Sequence, residues 1–188
     1  MQGPERCERI MLEAGRLFGR LGYGATRLDD VAAAAGVTKP MVYRHFGSKK
    51  DLYIALLRRH EADLPTFIES VDVPVGATQR ETVDAILDGW LDYARENSFS
   101  WLIIFRDKTG DPEIEAARRS VNTRAQQILA AFIRDLSPGL TAELVEPMAE
   151  FLTRGLAGLV LWWADHPDVS KSIVHATATR VTVATLRG

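Results

Sequence analysis

The side chains best suited to chemistry stand close together near the start of this sequence. Lys39, Tyr43, Arg44 and His45 fall within one short segment, Lys39 to Phe46, and Lys49 and Lys50 follow directly after Ser48. Donors at such density suit the holding of phosphate oxygens rather than the making or breaking of bonds. Ser48 and Asp51 have the spacing of a capping box for a helix starting there, yet its first turn carries Lys49 and Lys50, which the positive end of a helix dipole disfavours. A phosphate seated at that N-terminus on backbone N–H groups and Lys49 resolves the conflict; two solvated lysines are the plainer alternative.

Other chemistries lack their residues. The single cysteine, Cys7, cannot close an internal disulfide, and His45, His60, His166 and His175 are scattered, so neither a metal nor a cofactor is expected. There is no nucleophile elbow, phosphate loop or Ser/His/Asp spacing, so the chain is not expected to be an enzyme. Asp84, Asp88 and Asp92 repeat at i, i+4 and could hold a cation, but like charges on one helix face prefer water, and a solvated face is the reading adopted.

Composition agrees with this division of labour. Of 188 residues, 46% are hydrophobic and 26% charged, enough apolar surface for a full core. No stretch approaches the roughly 18 apolar residues of a membrane span, and MQGPERCERI lacks the apolar run of a signal peptide, so a cytoplasmic protein without membrane contact is expected. The net charge of −2 conceals a split: Met1 to His60 holds 11 Lys+Arg against 6 Asp+Glu, and the remainder 12 against 19. A basic segment on an acidic body suits one part that meets a polyanion and one that does not.

Helices must position the donors. Cys7, Ile10, Met11, Ala14, Leu17, Phe18 and Leu21 repeat at three and four residues up to Gly22, marking a first amphipathic helix. Thr26, with Asp29 three residues on, suits the cap of a short second helix whose inward face is Leu28, Val31, Ala32 and Ala35. Gly36 fits the left-handed stop after it, Val37 can plug the corner, and Thr38 can cap a third helix with Pro40 in its first turn. Two short helices joined this way form a helix-turn-helix, whose second helix enters the DNA major groove; an ordinary corner between helices has the same spacing. Later punctuation at Val73 to Ala77, Gly110 to Pro112, Ser137 to Gly139 and His166-Pro167 separates further helices, giving an all-α pattern.

The run Arg9-Ile10, Ala14, Leu17-Phe18, Gly22-Tyr23, Thr26, Asp30-Val31-Ala32, Ala35-Gly36-Val37-Thr38, Val42-Tyr43-Arg44-His45-Phe46, Ser48-Lys49 and Leu52 resembles the DNA-binding domain of TetR-type transcriptional regulators over about fifty residues. The resemblance implies a three-helix head, a connecting fourth helix, and a larger helical body that binds a small effector and dimerises. It further implies that Tyr43, His45 and Lys49 contact phosphates, with Thr38 able to join them, and that Thr26 or Arg27 touches the DNA backbone. Lys39, Pro40 and Arg44 fall where base edges are read, with Met41 nearby. Pro40 stands where many members have Gly, which removes an N–H donor and leaves Pro40 and Met41 to pack on thymine methyls while Lys39 or Arg44 reaches guanine.

The expected domains are thus 1–48, the head, and 49–188, the body, with the connecting helix at about 49–70 as the one link between them. In the body, Thr78 to Asn97, Ser98 to Phe105, Glu113 to Leu136 and Thr141 to Ala164 read as helices; Ser98 to Phe105 must be buried or line a pocket. Asp168 to Arg187 is rich in β-branched residues, but no segment offers it a strand partner, so it too is assigned helix. Trp90, Tyr93, Phe105, Phe132, Phe151 and Trp162, with Asn122 as a polar group, are the candidate lining of an effector pocket, although aromatic residues at this spacing also serve as plain core. Gly155 and Gly158 open one side of their helix to close approach and mark a candidate dimer interface. The function expected is a homodimeric repressor released from a palindromic operator by a small, mostly apolar effector. The competing classes are a DNA-binding or architectural protein without an effector, and a small helical enzyme.

Overall fold

The computed structural model describes residues 3–186, which form nine α-helices and no strand: α1 (Gly3–Ala25), α2 (Leu28–Ala35), α3 (Lys39–Phe46), α4 (Lys49–Ser70), α5 (Gln79–Glu96), α6 (Ser98–Phe105), α7 (Pro112–Leu136), α8 (Ala142–Ala164) and α9 (Lys171–Leu186). Local chemistry accounts for most of the boundaries. Gly22, with φ 79°, breaks α1 near its end. Ser48 and Asp51 make half of the expected box: the Asp51 amide donates to Ser48 Oγ at 3.0 Å, but the carboxylate takes the Ser48 hydroxyl at 2.6 Å while the Ser48 N–H goes to the Phe46 carbonyl. Thr78 and Glu81 make a complete capping box at the start of α5.

Two compact units emerge. The first comprises the chain up to Glu61 together with Ser98–Val121; the second comprises Ala62–Asn97 and the residues from Asn122 onward. The 1–48 head read from sequence is therefore packed together with the first half of α4, with α6 and with the start of α7. The chain passes between the units after Glu61, Asn97 and Val121, so α7 as well as α4 spans the division, and α4 is not the one link expected.

In the first unit Ile10, Phe18, Val31, Val42, Leu52, Tyr53, Leu57, Ile103 and Ile114 are buried together. Helix α6 lies on α1 because α1 offers it glycines. A Cβ at Gly15 would stand 2.5 Å from the Phe99 ring, and one at Gly19 would stand 3.0 Å from the Phe99 Cα. Trp101, Ile103 and Ile104 are buried, so the apolar segment is core.

A polar cluster beneath this core had no sequence signature. Tyr53, fully buried, donates its hydroxyl to Asp107 Oδ2 at 2.9 Å and to the Ile103 carbonyl at 3.2 Å, while the Tyr23 amide donates to the same carboxylate oxygen at 2.6 Å. Arg118, from α7, reaches the Tyr53 oxygen and pairs with Glu115. Burial, helped by the Asp107 charge, pushes the Tyr53 phenol well above its ordinary value, so it stays a neutral donor.

In the second unit Val83 and Leu87 of α5, Ala130 and Ile133 of α7, Val145, Ala149 and Leu152 of α8, and Ala178, Val183 and Leu186 of α9 share one core. The β-branched α9 is helical because its inward positions at three- and four-residue spacing are covered by α5 and α8. It also answers the carboxylate stripe. Lys171 Nζ lies 2.6 Å from Asp88 and 2.8 Å from Asp92, and the Thr179 hydroxyl donates to Asp84 at 2.9 Å. The face expected to be merely solvated is an ion-paired seam between two helices.

Candidate DNA-binding face and ligand groove

The helix-turn-helix is built on its corner. Gly36 takes φ 64° and ψ 37°, its N–H reaches the Ala33 carbonyl at 3.1 Å, and the Val37 N–H reaches Ala32 at 2.9 Å, the double closure of a left-handed helix end. Val42 is the wholly buried residue of α3 and sits in the first core, where α3 packs on α2, leaving the opposite side outward. Thr38, Lys39, Pro40, Tyr43 and Arg44 are exposed there, and Arg27 is exposed at the start of α2. Thr38 holds the N-cap position without a side-chain cap bond, so its hydroxyl is not committed to the helix end. Met41 and His45 are half-buried, and the Nε2 of His45 is buried without a hydrogen-bond partner, which turns that nitrogen away from any phosphate.

Two of the expected contacts are corrected by this geometry. Thr26 is 1% exposed, and its hydroxyl donates to the Gly22 carbonyl at 2.8 Å and, more weakly, to Leu17. It ties the end of α1, and Arg27 takes the N-cap position of α2 instead. Of the pair Thr26 or Arg27, only Arg27 can offer its side chain to DNA. Lys49 turns inward as well: its Nζ donates to the carbonyls of Tyr23, Thr26 and Gly24 at 2.8, 3.1 and 3.3 Å and lies 4.5 Å from the Tyr23 ring centroid. Lys50 pairs with Glu113 at 2.8 Å and Asp111 at 3.6 Å. The two lysines at the start of α4 thus have partners within the first unit and do not call for an external anion.

The donors that stay outward form a convex set on α3 with Arg27 beside it, and comparison with known proteins gives that set its setting. Residues 10–56 match the family model for bacterial regulatory proteins of the tetR family. The transcriptional activator FasR of Mycolicibacterium smegmatis is 28% identical over 176 residues, spanning 92% of this chain and 80% of FasR. This chain carries a TetR-family DNA-binding domain at residues 10–56. It is a DNA-binding transcriptional regulator with an N-terminal helix-turn-helix on an all-α fold. The fold is shared across its whole length with a TetR-like regulator from Rhodococcus sp. RHA1 (TM-score 0.78, 21% identity, 100% of this chain and 99% of that one). It is likewise shared with the fatty acid degradation regulator FadR of Bacillus halodurans (TM-score 0.77, 16% identity, 99% and 96%). No helix among the described residues is long and apolar enough to cross a membrane.

In this chain the second unit carries a groove of about 650 Å³ between the second half of α4 and α5. Its apolar floor includes Phe67, Val71 and Tyr93, the Phe67 and Tyr93 rings lying 5.0 Å apart, and Asp63, Asp72, Asp88, Asp92 and Glu96 stand around it. Of the lining expected from sequence, only Tyr93 is there. Trp90 packs against the second core, and Phe105 stacks on Trp101 within the first unit at 5.7 Å. Asn122 and Phe132 are half-buried on α7. Phe151 and Trp162 point outward, 62% and 44% exposed, so these six aromatic residues do not surround one cavity. Phe67 went unnoticed because its segment, interrupted by Pro65, reads as a connector. Phe151, Gly155, Gly158 and Trp162 instead form one exposed stripe along α8 at spacings of four, three and four, and a Cβ at either glycine would meet nothing within 4 Å.

Proposed function

We propose that this regulator is a homodimeric repressor that leaves a palindromic operator when a small, mostly apolar effector binds its second unit. The observation that carries the DNA part is the outward set Arg27, Thr38, Lys39, Tyr43 and Arg44 on a helix-turn-helix whose other side is buried. Tyr43 and Thr38 hold phosphates, Lys39 and Arg44 reach base edges, and Pro40 and Met41 pack on apolar base edges. For the dimer, the support is the α8 stripe: an aromatic at each end, glycines between, and open space above them suit a second copy of the same helix. The effector reading rests on the groove beside Phe67 and Tyr93. Its carboxylates, of which Asp88 and Asp92 share Lys171, leave the rim negative and disfavour a ligand that presents an anion to them.

Four measurements test this. Footprinting on DNA upstream of the protein's own gene should protect an inverted repeat whose half-site centres lie a whole number of turns apart, each about 34–36 Å. Light scattering should give a dimer, and replacing both Gly155 and Gly158 by leucine should yield monomer; a variant that stays a tight dimer places the interface elsewhere. A reporter behind the footprinted promoter should rise on deletion of the regulator, and an activator gives the opposite sign. An effector that weakens operator binding must itself bind more weakly to the operator complex by the same factor. Operator binding unmoved by the bound ligand would leave a DNA-binding protein without a switch.

A further inference from the structure

Asp29 occupies the first turn of α2, where an acid favours the helix N-terminus. Its Oδ2 also lies 3.0 Å from the Nζ of Lys39, across the turn of the helix-turn-helix, and 3.8 Å from a guanidinium nitrogen of Arg27. All three side chains are open to solvent: Arg27 75%, Lys39 45% and Asp29 47% exposed. One carboxylate, on the face assigned to a polyanion, therefore engages two of the cations assigned to meet it. A carboxylate at that place works against binding to phosphate unless the opposition is itself useful.

We propose that Asp29 is a selectivity residue of the DNA face, holding Lys39 on the protein until a base edge in the groove offers a better acceptor. The proposal rests on the DNA-face reading given above. On random DNA a phosphate that approaches Lys39 meets the Asp29 carboxylate at the same spot, so the new contact is offset by the broken pair and by repulsion between the two anions. On the operator, Lys39 exchanges the carboxylate for a guanine O6/N7 edge, and Asp29 stays with Arg27. The pair is exposed and its worth is correspondingly small, about threefold in affinity per half-site and about tenfold over the two half-sites of a palindrome.

The test uses the full chain with a duplex selected from a random pool by the wild-type protein and a scrambled duplex of the same length, titrated over a range of salt. Asp29→Asn should bind the scrambled duplex about tenfold tighter, the selected duplex much less so, and its salt dependence on scrambled DNA should steepen by about 0.9 per half-site. Asp30→Asn removes an equal charge from the neighbouring position of the same turn and should shift both duplexes alike and by less. In a Lys39→Met background the Asp29→Asn gain on scrambled DNA should shrink to the small Asp30→Asn effect. Equal effects of Asp29→Asn and Asp30→Asn, or a gain that survives Lys39→Met, overturn the proposal, because Asp29 then acts only as a charge. If Lys39→Met alone changes neither affinity nor salt slope, the DNA face itself is misassigned and the proposal falls with it.

Discussion

Replacing Lys49 separates two roles that the sequence leaves equivalent. As a phosphate ligand, its loss would weaken DNA binding and leave the fold intact; as the structure places it, its three ammonium protons serve the Tyr23, Thr26 and Gly24 carbonyls around the broken end of α1. Those carbonyls belong to a helix C-terminus, where no downstream amide remains to bond them and where a cation is favoured. Each bond from a charged donor is worth more than a neutral one, but the site is half-exposed and water can replace part of what is lost. We therefore expect Lys49→Ala to cost about 1–2 kcal/mol, which for a chain of this size lowers the melting temperature by about 2–8 °C. Lys49→Met, which keeps the stem over the Tyr23 ring and loses only the ammonium, should recover less than half of the difference. Circular dichroism melts read the stability, and hydrogen exchange at Tyr23 to Arg27 should accelerate in both variants. The salt slope of binding to random DNA should stay within measurement error. A Lys49→Ala protein that melts within about 1 °C of wild type while its slope falls by about 0.9 per half-site would refute the inward assignment.

Other outcomes follow from the two cores. His60 is 5% exposed and edge-on to Trp101, and burial pulls its imidazole from 6.5 down to about 4. The unfolded chain takes up that proton first, so the His60 contribution is full above about pH 6.5, declines as pH falls toward 4 and is flat below. It amounts to about 3 kcal/mol at most, and denaturant melts of His60→Gln that run parallel to wild type between pH 4 and 7 would exclude it. Tyr53→Phe keeps the ring packing but deprives Asp107 and Ile103 of their shared donor and should lower stability by about 1–3 kcal/mol in urea titrations. Gly15→Leu and Gly19→Leu should both destabilise the α1–α6 contact by about 1–3 kcal/mol. Phe99→Ala should rescue the first and not the second, because the first meets the Phe99 ring and the second the Phe99 backbone.

The helices, their ends and the recognition corner were readable along the chain because each depends on residues within about one or two turns of one another. The three- and four-residue repeat of α1, the Gly36 stop with Val37 behind it, the Ser48–Asp51 cap and the exposed donors of α3 all belong to that class. Helix α9 does not, since its β-branched residues favour a strand locally and its helix is held by the cover of α5 and α8. What the tertiary structure alone decided concerns side chains whose partners are far away in sequence. Lys49 finds its acceptors more than twenty residues upstream. The Asp84, Asp88 and Asp92 stripe finds Lys171 and Thr179 on α9, and Phe105 goes to one core while Trp90 goes to the other. A charged or aromatic residue has the same local periodicity whether it faces a ligand, a neighbouring helix or water. Only the packing of distant elements selects among these, because the free energy of a buried contact depends on which groups meet and not on where they lie along the chain.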